Sequence, residues 1–176
     1  MKIGNGIALS AVLLATQAFA DGHEFPTATA MMVNVEGETI GEATLTQAPE
    51  GVIIYMRVEG LTPGRHGLHM HSVGVCDGAE GFTTAKGHVA NSQQGLHGLL
   101  NASSHAGELP NLFVGADGIG EAEFYTTRVT ITDLPGENLL DEDGSTFIIH
   151  EAGDDHISQP IGGSGSRVAC GIITQG

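Results

Sequence analysis

Six histidines, His69, His71, His88, His97, His105 and His150, share this chain with Glu108, Asp154 and Arg167 in an order that reads as metal chemistry. The run opens with Gly67-Leu68-His69-Met70-His71. His69 and His71 are two residues apart, so on an extended strand both imidazoles point to one face and make a ready pair of ligands. Gly87-His88, Leu96-His97-Gly98 and His105-Ala106-Gly107-Glu108 follow in a stretch rich in Gly, Ser and Asn and poor in residues that could build a core. A lone histidine in a loop is usually just solvated. Several imidazoles and a carboxylate gathered around one loop and two strand ends instead define a candidate two-metal redox site. Imidazole suits copper and zinc alike, and no cysteine stands among the candidates, which argues against a thiolate site.

The elements that must position these groups read as β-strands joined by long loops. Val52 to Val58 alternates, with Val52, Ile54, Met56 and Val58 on one face and Arg57 on the other, the signature of a strand buried on one side. Thr27 to Val35 and Thr39 to Thr46 flank Glu36-Gly37-Glu38 as a hairpin, and Leu112 to Val114 and Gly120 to Thr126 flank Ala116-Asp117-Gly118 as another. Phe147 to His150 and Val168 to Ile173 supply two further short strands. With 27 glycines and no long helical period, the expected fold is all-β: an antiparallel β-sandwich or flattened barrel. Ser72 to Pro110 and Glu151 to Ser166 lack strand pattern, and loops of such length in one domain are usually functional.

Composition sets the compartment and the partners. Residues 1–20 carry Lys2, an apolar core from Ile7 to Leu14 and Ala18-Phe19-Ala20, the pattern of a secretory signal too short to span a membrane. Cleavage after Ala20 leaves one domain, residues 21–176, in which five basic residues face 21 acidic ones, a formal charge of −16. Nucleic acid and anionic membranes are therefore excluded as partners, and an anionic substrate needs a local positive focus. Export permits a disulfide between Cys76 and Cys170. The alternative is two separate buried thiols, but two cysteines in an oxidising compartment with no third candidate favour the bridge.

Taken in order, Gly67-Leu68-His69-Met70-His71, Gly87-His88, His105-Ala106-Gly107-Glu108, His150-Glu151-Ala152-Gly153-Asp154-Asp155 and Gly165-Ser166-Arg167-Val168-Ala169-Cys170-Gly171 resemble the copper,zinc superoxide dismutases of bacterial exported type. The resemblance covers nearly all of the mature chain. It implies a Greek-key barrel of about eight strands, with copper on His69, His71, His88 and His150 and zinc on His88, His97, His105 and Glu108. His88 is then the bridging and proton-carrying imidazole, Asp154 the carboxylate tying His69 to His97, and Arg167 the cation that orients superoxide. It also implies a periplasmic or extracellular location and leaves open a copper-loading chaperone and the choice between monomer and homodimer.

The chain departs from the family pattern in two places. Glu108 stands where the family carries aspartate, and the extra methylene predicts weaker zinc binding. The second loop has no lysine, so steering of superoxide falls to Arg167, aided by Lys86 or Arg65. Of the remaining histidines, His66 is expected to bond backbone and His156 to be solvated, with lining of the active channel as the alternative. In a chain cleaved after Ala20, the new amine, two amides and the His23 imidazole of Asp21-Gly22-His23 form a candidate square-planar copper site, against a plain polar terminus. The competing function is a non-catalytic store or scavenger of copper and zinc on the same fold. Storage gives no reason to keep Arg167.

Overall fold

Alternation along residues 51–58 plays out as the sequence predicts. In the computed structural model, which describes residues 24–90 and 95–176, Val52, Ile54, Met56 and Val58 are fully buried while Ile53 and Arg57 face solvent. The expected leader 1–20 and the Asp21-Gly22-His23 terminus lie outside the described residues.

The described strands are β1 (Thr27–Asn34), β2 (Thr39–Ala48), β3 (Gly51–Val58), β4 (Gly64–His66), β5 (Leu68–His71), β6 (Leu112–Val114), β7 (Gly120–Thr126), β8 (Val129–Thr130), β9 (Glu137–Asn138), β10 (Thr146–His150) and β11 (Arg167–Gln175). Nine of them form one sheet in the order β4-β6-β7-β3-β2-β1-β11-β10-β5, and β8 and β9 make a separate short pair. All pairings of the large sheet are antiparallel. Its two ends, β4 and β5, are consecutive pieces of one run broken only at Gly67, so that run nearly closes the sheet into a barrel. Counted once, it makes eight strands. The neighbours β3·β7, β1·β11 and β5·β10 are far apart in sequence, which gives the Greek-key crossing of the expected fold. Closure of this kind leaves little free edge for association.

Two cores result. The main one fills the barrel with residues such as Met32, Leu45, Ile54, Met56, Leu68, Met70, Leu112, Phe147 and Ile149. The second is small and lies outside it: Phe82 and Ala85 cover Ile148 and Cys170, with Val33 and Cys76 beside them. Cys76 and Cys170 are joined as a disulfide, their Cα atoms 5.7 Å apart. The loop after β5 is therefore better packed than its composition suggests, because Phe82 and Ala85 line its second core and Val89, Ala106 and Leu109 reach the main one. That lid explains why every residue of β5 and β10 is buried: one face meets the barrel interior, the other the loops. Among the described residues no helix is long and apolar enough to cross a membrane.

Candidate metal centre

The loop-covered face of β5 and β10 carries the histidines. His69 pairs across from Ile148 and His71 from Thr146, so His69, His71 and His150 stand on one outer face while Leu68, Met70, Phe147 and Ile149 point inward. Two loop segments then dock on the free side of β5: Met70 N–H donates to Gly107 O (2.8 Å), Val89 N–H to Met70 O (2.9 Å) and Gly107 N–H to Val89 O (2.9 Å). This docking sets His88 beside His71 and Glu108 beside His69. Gly107 permits it, since a Cβ there would lie 2.2 Å from Met70 O.

In each of four buried imidazoles one nitrogen is occupied and the other is not. His69 Nε2 meets Asp154 Oδ2 at 2.8 Å, His71 Nδ1 donates to Lys86 O at 2.8 Å, His150 Nδ1 to Gly165 O at 3.0 Å, and His88 Nδ1 meets Glu108 Oε1 at 2.8 Å. The opposite nitrogens, His69 Nδ1, His71 Nε2, His88 Nε2 and His150 Nε2, are buried without a hydrogen-bond partner. An orphaned buried polar atom costs about 1–3 kcal/mol, so four together mark a site built for a ligand that accepts no proton and takes lone pairs. Metal-ligand atoms of His69, His71 and His150 lie within 4.8 Å of one another.

A second cluster abuts the first. Glu108 Oε1 lies 2.8 Å from His88 Nδ1 and 3.3 Å from His105 Nδ1, and Oε2 lies 3.1 Å from His97 Nδ1. His97 Nδ1 and Glu108 Oε2 nevertheless lack hydrogen-bond geometry and are unpartnered. The longer side chain of glutamate thus carries its carboxylate into the midst of the three nitrogens. Asp154 joins the clusters, holding His69 Nε2 with one oxygen and His97 Nε2 with the other at 3.0 Å. Gly162, at φ +62°, leaves room for this link, because a Cβ there would fall 1.7 Å from Asp154 Oδ1. Oxygen and nitrogen donors without thiolate fit copper and zinc.

Electrostatics keeps the ligands ready. Burial lowers the pKa of His88 and of His150 to about 4, and that of His71 well below the usual value, with neighbouring His88 and Arg167 adding to the effect. Burial alone would raise Glu108 and Asp154. Hydrogen bonds from His88 to Glu108 and from His69, the His156 backbone and His97 to Asp154 outweigh it and hold both carboxyls below the ordinary range. Neutral imidazoles and anionic carboxylates are the states that bind cations.

Arg167 pairs with His150 at the start of β11 and donates to two carbonyls of the disulfide-tethered loop, Phe82 O (2.6 Å) and Lys86 O (2.7 Å). Lys86 O thus serves both His71 and Arg167. His66 is buried between the carbonyls of His150 (2.6 Å) and Thr62 (2.8 Å), as its backbone role requires. His156 departs from expectation: it packs beneath Asp154, with Nε2 3.1 Å from Asn111 Nδ2, because the second loop folds back over the first. Asn111 and Gln159, which touch the backbones of Asp154 and His97, went unnoticed in the sequence, where a lone Asn or Gln carries no motif.

A nearly closed Greek-key barrel carrying two abutting histidine clusters that could each hold a metal ion, with a carboxylate and an arginine beside them, has the architecture of a candidate metalloprotein. Residues 39–173 match the family described as copper/zinc superoxide dismutase (SODC). The superoxide dismutase [Cu-Zn] of Caulobacter vibrioides is 45% identical over 148 residues, 83% of this chain and 84% of that protein. Superoxide dismutase [Cu-Zn] 2 of Aquifex aeolicus is 35% identical over 98% of this chain and 99% of its own. Among solved structures, a SOD-like protein from Bacillus subtilis superposes with a TM-score of 0.75 at 36% identity, covering 83% of this chain and 97% of that one. The Cu/Zn superoxide dismutase from Brucella abortus gives 0.67 at 28% identity, covering 84% and 99%. The chain belongs to the copper/zinc superoxide dismutase family, enzymes whose cofactors are copper and zinc.

Proposed function

We propose that the chain is an exported enzyme that dismutes superoxide to oxygen and hydrogen peroxide, with copper held by His69, His71, His88 and His150 and zinc by His88, His97, His105 and Glu108. The observation that carries this reading is the set of four orphaned ring nitrogens, each with its opposite nitrogen already engaged, together with the grouping of His69, His71 and His150 ligand atoms within 4.8 Å and the pairing of Arg167 with His150. When bound, copper supplies one-electron oxidation and reduction of superoxide, and zinc supplies a fixed positive charge without redox chemistry.

The chain's own residues do the rest. Arg167 draws the anion in and orients it; its guanidinium is held by two carbonyls, so it presents a fixed charge and not a wandering one. His88 has Nδ1 engaged by Glu108 and Nε2 buried without a partner, and its ring shuttles a proton at Nε2 to the departing peroxide. Glu108 supplies negative charge that favours the protonated ring at that moment. Asp154 fixes the tautomers of His69 and His97 and so leaves Nδ1 of each free. Lys86, exposed on the disulfide-tethered loop, is the nearest further cation in sequence to the site and assists steering in a strongly acidic chain.

Residues 1–20 act as a secretory signal and 21–176 as the mature domain in the periplasm or outside the cell. The Cys76–Cys170 disulfide supports export, since such bonds persist in oxidising compartments. A copper-loading chaperone, and assembly as monomer or homodimer, complete the reading of partners.

The test is metal content together with dismutation rate on the mature protein, alongside Arg167→Gln. We expect about one copper and one zinc per chain and fast turnover, and for Arg167→Gln a rate loss on the order of ten- to a hundredfold at unchanged metal content. Full metal without turnover in the unaltered protein would refute dismutation and favour a copper and zinc store.

A further inference from the structure

Two neutral side chains outside the ligand set grip the backbones of the two residues that form the Asp154–His97 link. Asn111 Oδ1 accepts the N–H of Asp154 (2.7 Å) and its Nδ2 donates to the carbonyl of the same residue (2.9 Å). Gln159 Oε1 accepts the N–H of His97 (3.0 Å) and its Nε2 donates to the carbonyl of His97 (2.9 Å). Each amide thereby reproduces, for one residue, the paired donor and acceptor of a β-ladder, which fixes both the position and the tilt of the backbone it holds.

The two clamps have different anchors. Asn111 is buried at the residue before β6, so it ties Asp154 to the barrel wall. Gln159 lies in the second loop and ties the His97 segment of the first loop to it. Further contacts point the same way: Leu100 N–H donates to His156 O (3.0 Å), Asn101 Nδ2 to Ile157 O (3.3 Å), and Gly98, at φ +101°, lies so close to His156 that a Cβ would sit 2.2 Å from its carbonyl oxygen. Between the clamps lies the 3.0 Å contact of His97 Nε2 with Asp154 Oδ1. Amides carry no charge at any working pH, so this grip depends on neither metal nor proton.

We propose that Asn111 and Gln159 are positioning residues that preassemble the Asp154–His97 link before metal arrives, so that His97 Nδ1 faces its ligand site in a fixed direction. This rests on the reading of His97 as a ligand of the second metal. Outer partners of metal-ligating histidines matter to affinity by roughly ten- to a hundredfold, and a clamp that orients the ligand acts in the same range.

The test uses the full mature protein with Asn111→Ala, Gln159→Leu and Gln159→Glu. Because Gln159 is exposed and Gln159→Leu keeps its bulk, that variant folds even if the buried Asn111 variant does not. In the metal-free protein, amide exchange at His97 and the protected ring proton shared between His97 Nε2 and Asp154 are followed by NMR. In parallel, zinc affinity is read by chelator competition and the second site by cobalt(II) absorption. Gln159→Leu should speed exchange at His97, broaden or erase the ring-proton signal, weaken zinc binding about tenfold or more and shift the cobalt bands. Gln159→Glu keeps the acceptor and loses the donor, so it should fall between. Unchanged exchange and ring-proton signal in folded Gln159→Leu overturn the inference. A parent protein that binds no zinc overturns the ligand reading instead, and the metal-free NMR signals still decide the clamp.

Discussion

Reducing the Cys76–Cys170 bridge offers a perturbation that removes no atom from the fold, so its effect can be worked from chain statistics. The bridge spans a sequence separation of 94, and opening a loop of about that size restores entropy to the unfolded chain worth about 4–5 kcal/mol. For a domain of this length each kcal/mol moves Tm by about 2–4 °C, so reduction should lower Tm by about 8–20 °C. The bridge also roots the loop whose Phe82 and Ala85 cover Ile148 and whose Phe82 and Lys86 carbonyls hold Arg167. Reduced protein should therefore loosen Arg167 as well, and amide exchange in the loop should rise before global unfolding. The assay is urea and thermal unfolding of the metal-free protein, oxidised against reduced with a phosphine. A stability difference below about 1 kcal/mol would refute the argument, since it would mean that the unfolded chain gains no freedom when the loop opens.

Acid should destabilise the metal-free protein. Unfolded imidazoles titrate near 6.5, whereas burial lowers folded His88 and His150 to about 4, so between those values the unfolded chain binds more protons and stability falls as pH falls. Each histidine contributes about 1.4 kcal/mol per pH unit across the window, and urea unfolding that is flat from pH 7 to 4 would contradict this. Gly162→Ala should cost about 1–3 kcal/mol from backbone strain at φ +62° and more from its clash with Asp154, and should lower metal retention in dialysis against a chelator. Gly107→Ala, whose Cβ would strike Met70 O, should undock the loop from β5 and lower both metals together, whereas retention of both at parent levels would count against the docking role.

The fold was legible wherever side-chain alternation is local. Residues 52–58, the hairpin around Gly37 and the turn at Asp117-Gly118 declare themselves within about ten residues, and the strands match. The second core was not legible: Phe82 and Ala85 look like loop residues until Ile148 and Cys170 arrive beneath them. The place of His156 was not legible for the same reason, since its ring is held by Asn111, 45 positions away.

What the sequence by itself determined is the donor inventory and its spacing: the His69/His71 pair on one strand face, the further imidazoles, Glu108, Asp154, Arg167 and the two cysteines. Tertiary structure alone decided which nitrogen of each ring is engaged and which is left free, that the Glu108 carboxylate sits among three imidazoles, and that neutral amides clamp the link between clusters. The contact from Asn111 to Asp154 spans 43 positions and that from Gln159 to His97 spans 62. Such pairings follow from barrel closure and loop docking, which bring together side chains whose local patterns carry no trace of one another.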